Sequence, residues 1–479
     1  MVIVYTVFVK ISTERNRKMD IFKQIIDFIY YIFSDANFIT FTLPNGLSIG
    51  IPLLAILLIP TGIYFTIKTK ALIVRFFPEM LRLTVEKKPD NQKGGLSGLQ
   101  ALIVSTATRV GMGNLLGVVA AIAFGGAGSV FWMWITALLG TSTAYIEATL
   151  AQLHKEHDPL YGGFRGGPAY YLHALFAKAK GKKKSIIAIL FAVSALLCWG
   201  GISQVIGNSV ASDLKSTFNI DPLYTSIALV AICAVIVLRK NTTVKVLDII
   251  VPIMAVLYFV ATIVFMVINY QAIPGVFERI FAEAFGLRPA VGGTLGAVIS
   301  MGAQRGLFSN EAGSGSAPCA AAAANIDNPV KGGLLQAFGV FIDTIVICTC
   351  TAMLVLIANP AHSDDPSIIL NEAMNFHMGY AGEVFMSVVL FLFCVSTLLG
   401  VLFYARSNVA YLFGDNWTSQ TLYKIFALAM LFMGGLSTAA DTWHLADIGI
   451  ALMTVFNLMA LFPLAKEPLN LLKNYKKSK

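Results

Sequence analysis

Two polar, glycine-rich stretches interrupt otherwise apolar runs of this chain: Gly111-Met112-Gly113-Asn114 in one, and RGLFSNEAGSGS, Arg305 to Ser316, in the other. Their chemistry is that of exposed main chain. A backbone group freed from a helix inside hydrocarbon persists only where protein, water or a ligand satisfies it, and paired breaks in two halves of a chain point to a solute site near the bilayer midplane. Glycine at 111 and 113 lets main-chain N–H groups be approached closely. A small carboxylate can sit on them, at the positive end of a half-helix starting near Gly113. Carbonyls ending the preceding half-helix, near Ala107 and Val110, would face the same cavity as hard oxygen ligands for a small cation. Gly-x-Gly alone equally allows close helix packing on small residues. The second stretch shifts the balance: Ser309, Asn310, Glu311, Ser314 and Ser316 are polar residues at membrane depth, and Gly306, Gly313, Gly315 and Pro318 oppose a continuous helix.

These stretches need a membrane scaffold, and composition supplies one. Hydrophobic residues make up 57% of the 479 and charged residues 13%, against roughly 25% charged in a soluble domain. Mean hydropathy is +0.73. Eleven segments reach the length of about 20 apolar residues that a span needs: 48 to 68, 97 to 123, 128 to 151, 185 to 211, 222 to 239, 244 to 270, 291 to 324, 332 to 358, 383 to 412, 420 to 437 and 443 to 466. The chain is therefore read as an all-α polytopic membrane protein. Residues 1–47 form an N-terminal extension in which Asp20 to Phe33 is amphipathic and too short to cross, as an interfacial helix would be. An extra helix follows at 48–68, a basic linker at 69–96, five spans in 97–270, five in 291–466 and a basic tail at 467–479. No small-residue cleavage site follows the short run Val2 to Val9, so a cleaved leader is not expected. Six cysteines sit in or beside apolar segments without metal or disulfide spacing and read as small core hydrophobes.

The formal charge of +9 lies in loops, where it orients the chain rather than binding nucleic acid. Lys68 to Lys93, Lys155 to Lys184, Arg239 to Lys245, Lys331, Arg406, Lys424 and the tail from Lys466 alternate onto one side, expected to be cytoplasmic; the opposite loops hold only Lys215, Arg279 and Arg288. This count leaves the basic N-terminus outside, in conflict with the rule. With the segment at 48–68 set aside, the broken spans are the first and sixth of ten. They run in opposite directions, as an inverted repeat of five and five requires.

Arg109, Glu147, Arg305, Glu311 and Asp343 are charges near membrane depth. One carboxylate could carry a proton or cation, but pairing, such as Arg109 with Glu147, is the favoured reading. His154 and His157 read as a solvated loop, and Trp132 and Trp134 as interfacial anchors. No nucleophile–base pair or phosphate loop supports an enzyme.

The strings GGLSGLQA (94–101), RVGMGNLLGVVAAIAFGGAGSVFWMWITALLG (109–140), YIEA (145–148), GGPAYY (166–171), RGLFSNEAGSGSAP (305–318) and GVFIDTIVIC (339–348) closely resemble the alanine or glycine:cation symporter family, the sodium/alanine symporters. The resemblance implies a leucine-transporter-type fold, ten helices in two inverted repeats plus one extra, in the plasma membrane. It also implies sodium-driven uptake of a small neutral amino acid by a monomeric unit. By similarity, the main chain of Gly111, Met112 and Gly113 holds the substrate carboxylate, and Gln204, Phe308, Ser309, Asn310 and Thr397 line the pocket. The same alignment assigns one sodium ion to Ala107, Val110, Phe393, Ser396 and Thr397, with Asn114 read as a helix cap. The chain departs from the family pattern at Gly400-Val401, where Trp usually follows the glycine, at Tyr404-Ala405-Arg406 in place of Tyr-Gly-Glu, and at Ser314. Val401 would enlarge a pocket walled by that Trp. A proton-coupled transporter and a passive channel or sensor remain the rival readings.

Overall fold

The computed structural model describes residues 37–42, 48–86, 96–177, 184–239, 242–288 and 294–477; the amphipathic segment Asp20 to Phe33 lies outside them. In chain order the helices are α1 (Leu53–Thr69), α2 (Leu72–Thr84), α3 (Gly98–Arg109), α4 (Gly113–Gly125), α5 (Gly128–Leu153), α6 (Pro168–Phe176), α7 (Ile186–Phe218), α8 (Pro222–Val237) and α9 (Thr242–Ile268). They continue as α10 (Ile273–Ala284), α11 (Leu295–Asn310), α12 (Pro318–Ala323), α13 (Pro329–Ala358), α14 (Pro366–Met378), α15 (Tyr380–Phe413), α16 (Trp417–Gly435), α17 (Ala439–Leu464) and α18 (Lys466–Lys477).

Local chemistry sets many of the starts. Ser97 opens α3 with a capping box, its hydroxyl taking the Gln100 amide at 3.0 Å while the Gln100 side chain takes the Ser97 amide at 3.1 Å. Asp221-Pro222, Asn328-Pro329 and Asp365-Pro366 each place a capping side chain before a proline at the first helical position. Among the described residues, six helices are long and apolar enough to cross alone, and two bent pairs bring the number to eight: α1 with α2, at 71°, and α3 with α4, at 48°. The eleven-span count rests in addition on α8, α16 and the broken pair α11/α12. On α9, Ile249, Ile253, Val256, Val260, Ile263 and Val267 are all exposed, the apolar belt that a lipid-facing helix presents.

The expected boundaries shift where amphipathic pieces are too short to register as spans. The segment 48–68 begins as a strand, β2 (Ser48–Pro52), paired antiparallel with β1 (Asn37–Thr42), and becomes helical only at Leu53. The linker 69–96 contains α2, whose Leu72, Ile73, Phe76, Met80 and Leu83 recur at helical spacing and are buried. The tail contains α18, and the two loops left without spans contain α10 and α14. Trp132 and Trp134 donate to the Ala284 carbonyl at 3.2 Å and to Thr349 Oγ1 at 2.9 Å. They thereby tie α5 to its neighbours. His154 ends α5 and His157 lies in a small hairpin, β3 (Glu156–His157) with β4 (Phe164–Arg165). All six cysteines are buried thiols.

Candidate functional site

The first break is narrow because α15 crosses against it. A side chain at Gly111 would put its Cβ 2.1 Å from Thr397 Oγ1 and 2.8 Å from the Thr108 carbonyl, so only glycine fits. Close approach, rather than unusual torsion angles, is what this glycine provides. Helix α3 ends at Val110, where ψ turns to 68°. The freed amides are then held by side chains: Gly111 N–H donates to Asn114 Oδ1 at 3.3 Å, and Met112 N–H to Thr397 Oγ1 at 3.2 Å. Two oxygens thus stand where a carboxylate would accept. Asn114 thus holds an amide of the break itself, just upstream of α4. At Gly113 a Cβ would lie 3.2 Å from the Phe308 ring, so the second half-helix starts directly against the second broken span.

Thr397 joins this break to a set of hard oxygens. Its hydroxyl donates to the Phe393 carbonyl at 2.8 Å; Ser396 Oγ donates to the same carbonyl at 2.9 Å and lies 3.5 Å from the Ala107 carbonyl. Four oxygens without a formal charge converge there, buried. That donor set suits a small hard cation and not a soft metal. Val110 is buried at the end of α3. Gly400, one turn along α15, abuts Thr108, whose Cγ2 lies 2.4 Å from where its Cβ would be; Val401 is buried beside it.

The second break turns through left-handed residues, Glu311 at φ 57°, Gly313 at 95° and Gly315 at 84°. A non-glycine residue there stores about 1–3 kcal/mol unless its surroundings enforce it. Glu147 supplies part of that enforcement: Oε2 accepts from the Gly313 amide at 3.0 Å, and Oε1 from Asn457, which also donates to the Gly313 carbonyl at 2.9 Å and is held by Tyr171. Tyr404 reaches Thr108 at 2.6 Å and Glu311 at 3.3 Å, so one phenol touches both breaks.

Asp343 links them more directly. It sits in a π-helical stretch, Phe341–Cys348, within α13; such widened turns recur at functional positions. One carboxylate oxygen accepts from Asn114 of the first break, the other from Ser309 of the second and from Thr344, both at 2.8 Å. The favoured pairing of Arg109 with Glu147 is not formed, because both Glu147 oxygens are engaged at the second break. Arg109 instead donates to the Gln336 carbonyl and side-chain oxygen, each at 3.1 Å. Arg305 pairs with Asp447 at 3.2 Å, stacks over Trp443 at 4.4 Å, and Trp443 in turn packs on Phe308 at 5.1 Å.

The structure therefore gathers Ala107, Gly111, Met112, Gly113, Phe308, Ser309, Phe393, Ser396 and Thr397 around the two breaks. Asn310 uses its side chain within the second break: Oδ1 accepts from Ala312 N–H at 3.0 Å and faces Gly140 of α5, while Nδ2 is buried without a partner. Gln204 is half-buried on α7 with its backbone against Gly434 of α16, and its amide makes no hydrogen bond among the described residues. Sequence reading missed Asp447, Trp443, Asn457 and Gln336. Asp447 was the detectable one, an acidic residue inside the apolar run of α17.

A polytopic helical protein with two broken spans meeting at a buried polar centre is a membrane transporter of the inverted-repeat, broken-helix class. Solved structures share this fold: MhsT in complex with L-phenylalanine (TM-score 0.56, 13% identity, 78% of this chain and 89% of that one) and the Eremococcus coleocola manganese transporter (TM-score 0.52, 13% identity, 80% and 81%). The profile of the sodium:alanine symporter family matches residues 36–479, and the chain belongs to that family. It is 39% identical to the probable sodium/glutamine symporter GlnT of Bacillus subtilis (strain 168), over 89% of this chain and 88% of the relative. It is 35% identical to the sodium/alanine symporter AgcS of Methanococcus maripaludis, over 86% and 92%.

Proposed function

We propose that this protein is a sodium-coupled symporter that imports a small neutral amino acid, alanine or glycine foremost, by alternating access. One atom carries the reading. Thr397 Oγ1 accepts from the Met112 amide, a carboxylate-binding donor, and belongs to the oxygen set suited to sodium. A ligand on either side of that hydroxyl orients it for the other. Sodium would be held by Ala107, Val110, Phe393, Ser396 and Thr397, and the substrate carboxylate by the main chain of Gly111, Met112 and Gly113. Phe308 and Ser309 would wall the pocket. The basic loops would face the cytoplasm. An inward charge across 100 mV gains about 2.3 kcal/mol, and a tenfold sodium gradient adds about 1.4 kcal/mol. Their sum supports accumulation of roughly several hundredfold.

The test is uptake of labelled alanine, glycine, serine, D-alanine and glutamine into proteoliposomes, driven in turn by sodium, potassium or a pH step. Concentrative uptake that follows external sodium at fixed pH is expected. Uptake driven by the pH step alone would replace this reading with proton coupling, through a carboxylate such as Asp343 or Glu147. Equilibration without concentration would replace it with a passive pathway.

A further inference from the structure

At the far ends of both broken helices the chain is tied together: Leu96 N–H donates to the Ala323 carbonyl at 3.0 Å, and Asn325 N–H returns to the Leu96 carbonyl at 2.8 Å. Against this tie lies a cavity of about 310 Å³, walled by Leu96 and Ala323, the hairpin residues Tyr161 to Phe164, Val244 and Lys245 of α9, and Phe403 and Arg406 of α15. A smaller cavity sharing Tyr161, Phe403 and Arg406 adds Arg239 and Lys424 to its walls. Among the described residues, four cations line the two cavities and no carboxylate does.

Arg406 is the key group. Its guanidinium lies between two rings, 4.2 Å from Tyr161 and 4.0 Å from Phe403. It forms no ion pair and donates no hydrogen bond among the described residues, and its Nε is buried. The hydroxyl of Tyr161 is also buried without a partner. Asp158 lies near enough to act on Arg406 through its charge but forms no ion pair with it, and its Oδ1 accepts from the backbone amides of Leu160 and Tyr161, each at 3.1 Å. Two unsatisfied donors, with four positive charges around two cavities that share Arg406 and Tyr161, call for a multivalent acceptor. A planar guanidinium braced by rings is the group suited to phosphate oxygens.

We infer that this vestibule binds a phosphate-bearing anion, contributed either by a free phosphate or by an anionic lipid headgroup, with Arg406 and Tyr161 as its inner ligands and Lys245 and Lys424 at the rim. Basic pockets between membrane helices hold lipid phosphates elsewhere by the same forces. The site is independent of the transport reading, since it requires neither sodium nor substrate.

The experiment uses full-length protein purified in detergent. Thermal unfolding midpoints are measured against inorganic phosphate, with ionic strength held by chloride, and then after reconstitution into phosphatidylcholine vesicles with or without phosphatidylglycerol. Wild type is compared with Arg406→Gln and with Lys245→Gln, an exposed residue whose loss does not threaten folding. A saturable rise with phosphate, weakened at least tenfold in R406Q and several-fold in K245Q, supports a free phosphate. A rise confined to phosphatidylglycerol vesicles and lost in the variants supports a headgroup. No response to either, or equal responses in wild type and K245Q, overturns the inference. Sodium-driven uptake on the same preparations keeps the two readings apart: lost uptake with retained anion binding counts against the transport proposal alone.

Discussion

Thr397→Val tests the shared hydroxyl. Valine matches threonine in shape but not in polarity, so the Met112 amide loses its acceptor at 3.2 Å and the Phe393 carbonyl one of its donors, in a residue 4% exposed. An orphaned buried amide costs about 1–3 kcal/mol. The proposed sodium site loses one of its oxygens, and a polar contact to a charge is worth about 1.5–3 kcal/mol. Sodium affinity should therefore fall about 10- to 150-fold. Thr397→Ser keeps the oxygen and should stay within about threefold of wild type. Two assays read this: the sodium concentration for half-maximal uptake in proteoliposomes, and the sodium-dependent rise in unfolding midpoint, which for the intact site amounts to about 2.7 kcal/mol at a hundred times Kd. A T397V protein that folds and keeps wild-type half-saturation would remove Thr397 from the ion site and, with it, the proposed route of coupling.

Gly111→Ala should fold but lose sodium-driven uptake, because its methyl would stand 2.1 Å from Thr397 Oγ1; wild-type transport in G111A would show that α15 can back away. Arg305→Leu or Asp447→Leu alone should lower stability in detergent by about 3–5 kcal/mol, since each strands a buried charge, whereas the double leucine variant should lie much nearer wild type; additive losses would refute the pairing. Gly313→Ala should destabilise the second break on two counts, φ of 95° and a Cβ 2.8 Å from Leu58 Cδ2. Leu58→Ala should relieve only the second, as thermal unfolding of the single and double variants would show.

The breaks were legible because glycine and serine runs inside apolar segments have no cheap explanation in hydrocarbon. Of the oxygen set, the Ala107 carbonyl followed from the first break, whereas Phe393, Ser396 and Thr397 were reached only through resemblance, since nothing local marks a continuous helix as their source. What local pattern cannot reveal is the direction of a side chain at the end of a helix. Ser309 and Asn310 are adjacent and equally polar, yet one turns to Asp343 and the other to Gly140. Successive residues on a helix point about 100° apart, so of two neighbours at a break only one faces a given partner. Arg109 shows the same limit for charges. Glu147 was the candidate partner, but one of its oxygens takes the Gly313 amide and the other the Asn457 side chain, an arrangement that appears only once the chain is folded.

That competition explains why carboxylates sit at both breaks without cationic partners at bonding distance. A buried carboxylate survives if enough N–H and O–H groups solvate it, and unwound backbone provides such donors in quantity. Glu147 takes the Gly313 amide, and Asp343 takes Asn114, Ser309 and Thr344. Glu147 thereby fixes the second broken segment by an amide that breaking it exposed, while Asp343 holds its segments through side-chain donors. Asp343 does so for both segments at once, so a shift of either half-helix changes the solvation of the same carboxylate. On the proposed function, a solute and an ion bound at these breaks would not need to touch to sense one another, because each would bias the position of Asn114, Ser309 and Thr397. Because linkage is reciprocal, whatever sodium contributes to substrate affinity the substrate must return to sodium.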